Sequence, residues 1–450
     1  MRLNHHFVRE LCLIAVLAVP TFALAAKPNT PNIVVVLADD LGYGDLASYG
    51  CPDTRTPHLD RMAAQGARFT SACASGPVCS PTRVALLTGQ YQQRQGNAFE
   101  AYLGGGSPGL DGTKQKTLGT LLRGVGYQTT LLGKWNVSGS EGAKAEMNPA
   151  FLPAAHGFEH AIFVHHNHDQ HTHVREKSDV YDLWQDGRRL ERAGFTDDFL
   201  TDDAVSFITT RRESPFFLYL AYLSPHNPLQ THDDPKRYPN RDRSAYVKMV
   251  ERLDHNVGRV MEAIRQAGIE KETLVLFTSD NGGQVAARNL PLSGRKQQLL
   301  EGGIRVPLLA WQPGTVKPGM VIDHPVITMD LTATALAAAG ATVPEGQPLD
   351  GVNLMPLLTG APPPEPRTLF WRSRKINHRA RTNVVDARAV RDGDWKLYRA
   401  EGKPKLFNLK DDVAETRDRA AERPDLVEKL AAKLEAWEKQ VSPAEELYAR

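Results

Sequence analysis

The chain has 450 residues, 41% hydrophobic and 24% charged, which is enough apolar mass for one large domain and a smaller one. Lys and Arg number 54 against 52 Asp and Glu, a net charge of +2, so no strong field selects a polyanion. A basic nucleic-acid-binding surface is therefore not expected.

The N-terminal stretch MRLNHHFVRELCLIAVLAVPTFALAAKP places Arg2 and Arg9 before an apolar run that ends in Ala23-Leu24-Ala25. Residues 1–25 read as a removed secretion signal, with a small-x-small cleavage pattern. The run is short and interrupted by proline, and no second long apolar segment follows, so no membrane anchor is expected. The expected location is periplasmic or secreted, an oxidising setting. The mature chain then carries Cys51, Cys73 and Cys79, an odd number. Cys51 and Cys73 are open to two readings, a bridge or two buried thiols.

Next comes NIVVVLADDLGYGD, a continuous apolar run over 33–38 followed by Asp39 and Asp40. A helical pattern follows over 58–69. In CSPTRVALLTG, Ser80 is a good N-cap, Pro81 a good first helical residue and Gly89 a good stop. Cys79 thus precedes a helix, with the forked donor Arg83 about one turn further in, an arrangement suited to sulfate or phosphate. The run 128–132 leads to Lys134, the run 216–223 to His226, and the run 273–278 to Asp280 and Asn281. All four runs are short and apolar on both faces, as strands of a covered parallel sheet are. Each delivers its polar residues past its C-terminal end, the edge where open α/β sheets bind ligands. Between them, 165–173 holds His165, His166, His168, His171 and His173. That tract reads as a solvated loop, a second metal site, a substrate-selecting loop or a source of a base for the pocket. A helical pattern covers 246–268, and Lys296 lies in a turn-rich loop after the last run. A Pro-rich link at 361–366 divides an expected catalytic domain, 27–365, from a C-terminal α+β unit, 366–450. Beyond the link, 387–412 reads as antiparallel strands and 424–441 as an amphipathic helix.

Cys79-Ser80-Pro81-Thr82-Arg83 with Leu87-Thr88-Gly89 resembles the sulfatase signature, whose cysteine is oxidised to formylglycine (3-oxoalanine). NIVVVLADDLGYGD, TPHLDRMAAQGARFT, GYQTTLLGKW, SPHNP, TSDNGG, EGGIRVP and AVRDGDWKLY resemble sulfatase segments in family order, over nearly the whole mature chain. The resemblance implies an α/β fold, an alkaline-phosphatase-like three-layer sandwich with a mostly parallel central sheet. A small C-terminal α+β domain with an antiparallel sheet goes with it. It implies a sulfuric ester hydrolase acting on a sulfated carbohydrate or other sulfate ester. A formylglycine-generating or anaerobic sulfatase-maturing enzyme is implied as partner.

By the same resemblance, Asp39, Asp40, Asp280, Asn281 and the modified Cys79 are ligands of calcium, with magnesium the second choice. The oxygen donors agree with a hard cation. Arg83, Lys134 and Lys296 neutralise the sulfuryl oxygens, and His226 or Lys296 protonates the departing alcohol. A hydroxyl of the hydrated aldehyde attacks sulfur, and the second hydroxyl then expels sulfate. One position departs from the family: Gly133-Lys134-Trp135 is followed by Asn136 where a histidine is usual, and Asn takes no proton near neutral pH. Two alternatives accompany the sulfatase reading. One is a phosphodiesterase or phosphonate hydrolase of the same fold; the other is a non-catalytic sulfated-glycan-binding homologue.

Overall fold

The computed structural model describes residues 30–103, 107–139, 148–165, 171–173, 183–377, 382–400 and 402–442. The expected signal segment 1–25 lies outside them. Ten strands form one sheet: β1 (Asn32–Ala38), β2 (Ala67–Phe69), β3 (Gln128–Lys134), β4 (His160–Val164) and β5 (Leu183–Gln185), then β6 (Arg188–Arg189), β7 (Phe216–Ala221), β8 (Thr273–Ser279), β9 (Leu308–Trp311) and β10 (Met320–Ile322). Their order is β10-β2-β9-β8-β1-β7-β3-β4-β5-β6. The five central strands β8, β1, β7, β3 and β4 are all parallel. Antiparallel pairing is confined to the flanks, at β9 and at β5 and β6.

The register explains why β1 has no polar face. Ile33 sits between Phe217 and Leu274, and Leu37 between Ala221 and Thr278. Side chains alternate across a strand, so β1 feeds two cores. Ile33, Val35 and Leu37 pack against α2 (Cys79–Thr88), α3 (Leu118–Gly124) and α6 (Asp330–Ala339). Val34, Val36 and Ala38 pack against α1 (Pro57–Gln65), α4 (Thr196–Thr209) and α5 (Arg243–Gln266). Each fully buried Val, Leu or Ile is worth about 1.5–3 kcal/mol of removed apolar surface, which makes this doubly covered sheet the main source of cohesion. In α5 the Asp242 carboxylate caps the helix by accepting from the Ala245 N–H at 3.0 Å.

The expected helix over 58–69 is corrected: it ends at Gln65, and Ala67–Phe69 leaves as β2. Gly66 makes the break at a site where a Cβ would lie 2.2 Å from the Ala310 carbonyl oxygen. The C-terminal region is an antiparallel meander, β11 (Leu369–Asn377), β12 (Thr382–Asp392), β13 (Trp395–Arg399) and β14 (Lys405–Asn408). Its first strand was not expected from the sequence. Helix α7 (Pro424–Val441) covers it with Leu430, Leu434, Trp437 and Val441. The same cluster includes Cys73 and Ala85, so the small sheet packs close to the helix that carries position 79. Cys51, Cys73 and Cys79 are all free thiols, which decides against the Cys51–Cys73 bridge. No helix among the described residues is long and apolar enough to cross a membrane.

Candidate active site

The four strands singled out in the sequence are neighbours, in the order β8, β1, β7, β3, and all point the same way. Their C-terminal ends therefore place Asp280 and Asn281, Asp39 and Asp40, the turn to His226, and Lys134 along one stretch of sheet edge. Backbone bonds tie these ends together. The Asp280 N–H donates to the Ala38 carbonyl at 3.1 Å, and the Asp39 N–H to that of Ser224 at 3.2 Å. The Asp40 N–H reaches Asp280 Oδ1 at 3.2 Å. Asp40 has φ of 67°, a left-handed conformation that Asp tolerates better than most residues.

Helix α2 begins at Cys79 itself, with Val78 as its N-cap. Ser80 is thus not the cap expected from the sequence. Its hydroxyl donates to Asn136 Oδ1 at 2.8 Å and accepts from the Leu103 N–H at 3.1 Å. Gly89 ends the helix in the left-handed region, φ 69°, as expected. The Cys79 thiol is buried, with Sγ 3.3 Å from Asp39 Oδ1 and 3.4 Å from Lys296 Nζ.

Three carboxylates meet three fixed cations here. Arg83 donates to Asp280 Oδ2 from Nε at 3.1 Å and from Nη2 at 2.8 Å, and from Nη1 to the Lys134 carbonyl at 2.8 Å. Its fork is thus occupied in bracing the site. Lys134 Nζ donates to Asp39, and Lys296 Nζ lies 2.7 Å from Asp40 Oδ1. His226 Nε2 stands 3.5 Å from Asp40 Oδ2, while its Nδ1–H donates to the Asn227 carbonyl.

Burial opposes every charge in this site. It pushes the Cys79 thiol far up, with Asp280 and Asp39 adding to the effect. Against burial, Lys296, His226 and Lys134 hold the Asp40 carboxyl well below its usual range. Asp40 in turn keeps Lys296 firmly protonated despite its desolvation. For His226 burial wins over Asp40, pushing the imidazole down to about 3.

Ligand atoms of Asp39, Asp40, Cys79 and His226 lie within 4.8 Å of one another. The Asn281 amide donates to Asp40 Oδ1 at 2.7 Å and to the Gly282 carbonyl at 2.9 Å. Its Oδ1 is buried without a hydrogen-bond partner, an acceptor left for a cation. This donor set, rich in hard oxygens, fits a divalent cation. Asp280 joins it less directly, through Arg83 and the Asp40 N–H, whereas His226 stands inside it.

One amide, that of Gln284, went unnoticed in the sequence. Gln284 Nε2 donates to Asp40 Oδ2 and its Oε1 accepts from Asn227 Nδ2. Gln284 follows Asp280-Asn281-Gly282-Gly283 directly, but an uncharged amide carries no pattern that would single it out. Asn136 is fully buried with φ of 53°, and its Nδ2 has no partner. Of the histidine tract, His166 and His168 lie outside the described residues, as does the side chain of His173. The His165 carbonyl accepts from the Asn136 N–H at 2.9 Å, and its ring bonds to the Ser138 hydroxyl at 2.7 Å. His171 reaches the His226 carbonyl at 2.7 Å. His165 and His171 thus brace the backbone that frames the site.

Residues 31–341 match the family described as Sulfatase, and residues 295–440 match the one described as N-sulphoglucosamine sulphohydrolase, C-terminal. The chain is 35% identical to the N-acetylgalactosamine-6-sulfatase of Rattus norvegicus over 77% of its own length and 69% of that protein's. It is 34% identical to arylsulfatase A of Bos taurus, over 84% of this chain and 77% of that one. The crystal structure of Ps i-CgsB in complex with k-i-k-neocarrahexaose superposes with a TM-score of 0.81 at 30% identity, covering 92% of this chain and 94% of the other. The fold is accordingly the alkaline-phosphatase-like α/β arrangement with its small antiparallel C-terminal sheet. With a family match running from the first strand of the sheet past its last, and relatives of this closeness, the chain belongs to the sulfatase family, hydrolases of sulfuric esters.

Proposed function

We propose that this sulfatase removes sulfate from a carbohydrate, in the periplasm or outside the cell, after a formylglycine-generating or anaerobic maturing enzyme oxidises Cys79. The observation that carries the reading is the gathering of Asp39, Asp40, His226 and position 79 within 4.8 Å, with Lys134 and Lys296 on the two carboxylates. Asp39, Asp40 and the Asn281 Oδ1 would hold calcium, with Asp280 bracing them through Arg83. Once bound, that ion would withdraw charge from a sulfuryl oxygen and lower the pKa of the hydroxyl that the oxidised residue 79 offers.

The chain's own residues then have separable tasks. Lys134 and Lys296 stay protonated beside their carboxylates and present fixed positive charge to the sulfuryl oxygens. Burial keeps His226 neutral in the free protein. An arriving ester anion adds negative charge beside it and favours the imidazolium, whose Nε2 then hands its proton to the departing alcohol. A carbohydrate alcohol is favoured because one of the two relatives is an N-acetylgalactosamine-6-sulfatase and the similar structure is a complex with k-i-k-neocarrahexaose.

The test begins with protein produced alongside a maturation enzyme. The tryptic peptide running from Phe69 to Arg83 holds Cys73 and Cys79, so fragment masses must locate the change. An aldehyde at 79 with an intact thiol at 73, followed by sulfate release from a panel of sulfated sugars, is the expected result. An unmodified Cys79 in protein that still releases sulfate would sink the proposed chemistry.

A further inference from the structure

One member of the histidine tract has contacts that lead into the site. We propose that His171 is a positioning residue for His226: its Nε2–H donates to the His226 carbonyl and so fixes where the His226 ring stands relative to Asp40. This rests on the reading above, in which His226 serves the departing alcohol.

The bond is 2.7 Å long, and only a protonated nitrogen can meet a carbonyl, so Nε2 carries the hydrogen. Residue 171 also grips the same turn further on, its N–H donating to Gln230 Oε1 at 2.6 Å. It is itself anchored. Its carbonyl accepts from the N–H and the hydroxyl of Thr196, both at 2.8 Å, and its ring stacks on Phe195 with centroids 5.9 Å apart and planes at 20°. The next residue of α4, Asp197, accepts from the N–H groups of Leu223 and Ser224, each at 2.9 Å. The turn from 223 to 230 is thus clamped at its entrance by Asp197 and at its reacting residue by His171. Other bonds of His226, from its N–H to the Leu223 carbonyl and from Nδ1–H to Asn227, stay inside the turn and travel with it. Releasing the His171 bond frees residue 226 to shift relative to Asp40. A displacement near 1 Å is enough to lower a rate by roughly a hundredfold.

The experiment compares kcat and KM of matured wild type, His226→Gln, His171→Phe and His171→Gln. Two substrates are used: 4-nitrophenyl sulfate, whose leaving group needs no proton, and a hexose sulfate that the wild type turns over. His171→Phe keeps the stack on Phe195 and loses the donor; His171→Gln keeps a donor near the place of Nε2. Expected for His171→Phe is a fall in kcat of roughly tenfold to a hundredfold on the hexose sulfate, with KM little changed and the aryl sulfate affected only a few-fold. His171→Gln regains most of the loss, and His226→Gln shows the same selectivity more strongly. If His226→Gln is selective and a folded His171→Phe is not, the positioning role is overturned while the reading of His226 stands. If His226→Gln affects both substrates equally, that reading falls and the positioning role with it. Should His171→Phe fail to fold, Gln230→Leu removes the acceptor of the residue 171 N–H and must show the same selectivity, or the inference is wrong.

Discussion

Arg83 and Asp280 lie 197 positions apart, and both Nε and Nη2 of the guanidinium reach the same carboxylate oxygen, at 3.1 and 2.8 Å. Neither side chain is exposed. Helix α2 carries position 79 and β8 leads to Asn281, so this pair ties the helix of position 79 to the acidic edge of the sheet. Nη1 extends the tie to the end of β3 through the Lys134 carbonyl.

Breaking that pair leaves a buried charge without its partner. Asp280→Ala is expected to destabilise the protein by about 3–5 kcal/mol, measured by urea unfolding with a chelator present so that any lost cation does not contribute. The double substitution Arg83→Met, Asp280→Ala should be less damaging than Asp280→Ala alone, because no lone guanidinium remains. A single variant within 1 kcal/mol of wild type would show that the tie is not structural.

A cation that binds only the folded state raises its stability by about 2.7 kcal/mol at a concentration a hundred times Kd. Calcium added to chelator-treated protein is therefore expected to raise the melting temperature, and Asn281→Ala to weaken that response more than it lowers the chelated melting point. Asn281 Oδ1 has no internal partner, so its loss breaks no acceptor bond in the cation-free protein. Equal calcium responses in the two proteins would remove Asn281 from the ligand set.

Much of this site is legible along the chain, for a physical reason. Strands β1, β3, β7 and β8 are buried on both faces over most of their length, so each reads as a run without charge until a carboxylate, an ammonium or an imidazole at or past its end marks the sheet edge. Asp39, Lys134 and Asp280 are therefore visible before any coordinates. Short edge elements are not. Ala67–Phe69 is three residues long and continues a helical pattern, and only its place between β9 and β10 makes it a strand. Ser80 shows a different limit. Its cap propensity is real, but the Asn136 amide and the Leu103 N–H claim its hydroxyl from elsewhere in the chain. Gln284 acts through long-range bonds to Asp40 and Asn227, which leave no periodic trace.

Asn136 gives a prediction about turnover. Its Oδ1 accepts from Ser80, the residue beside position 79, and its Nδ2 is a buried donor with no acceptor. Asn136→His supplies a titratable group at this point, where the family usually has a histidine. The expected result is a kcat at least tenfold higher on a hexose sulfate, in line with the usual contribution of a general base. An unchanged or lower kcat in a folded variant would mean that another group already takes the proton.

His156 sets a pH dependence of stability away from the site. It is fully buried, its Nε2–H donates to the Leu110 carbonyl at 3.0 Å, and its ring meets Trp135 edge-on at 5.0 Å. Burial pushes its pKa down to about 4, although the Leu110 carbonyl and Asp111 pull the other way. The unfolded chain takes up a proton near pH 6.5, whereas the folded protein resists until about pH 4. The contribution of this residue is thus intact above pH 6.5 and is lost progressively as pH falls toward 4, by about 3 kcal/mol in all. His156→Gln keeps a donor for Leu110 but cannot titrate. The difference in unfolding free energy between wild type and His156→Gln should shift by that amount between pH 7 and pH 4, against wild type. A pH-independent difference would mean that the folded protein takes up this proton as readily as the unfolded chain, so that burial of His156 sets no pH dependence.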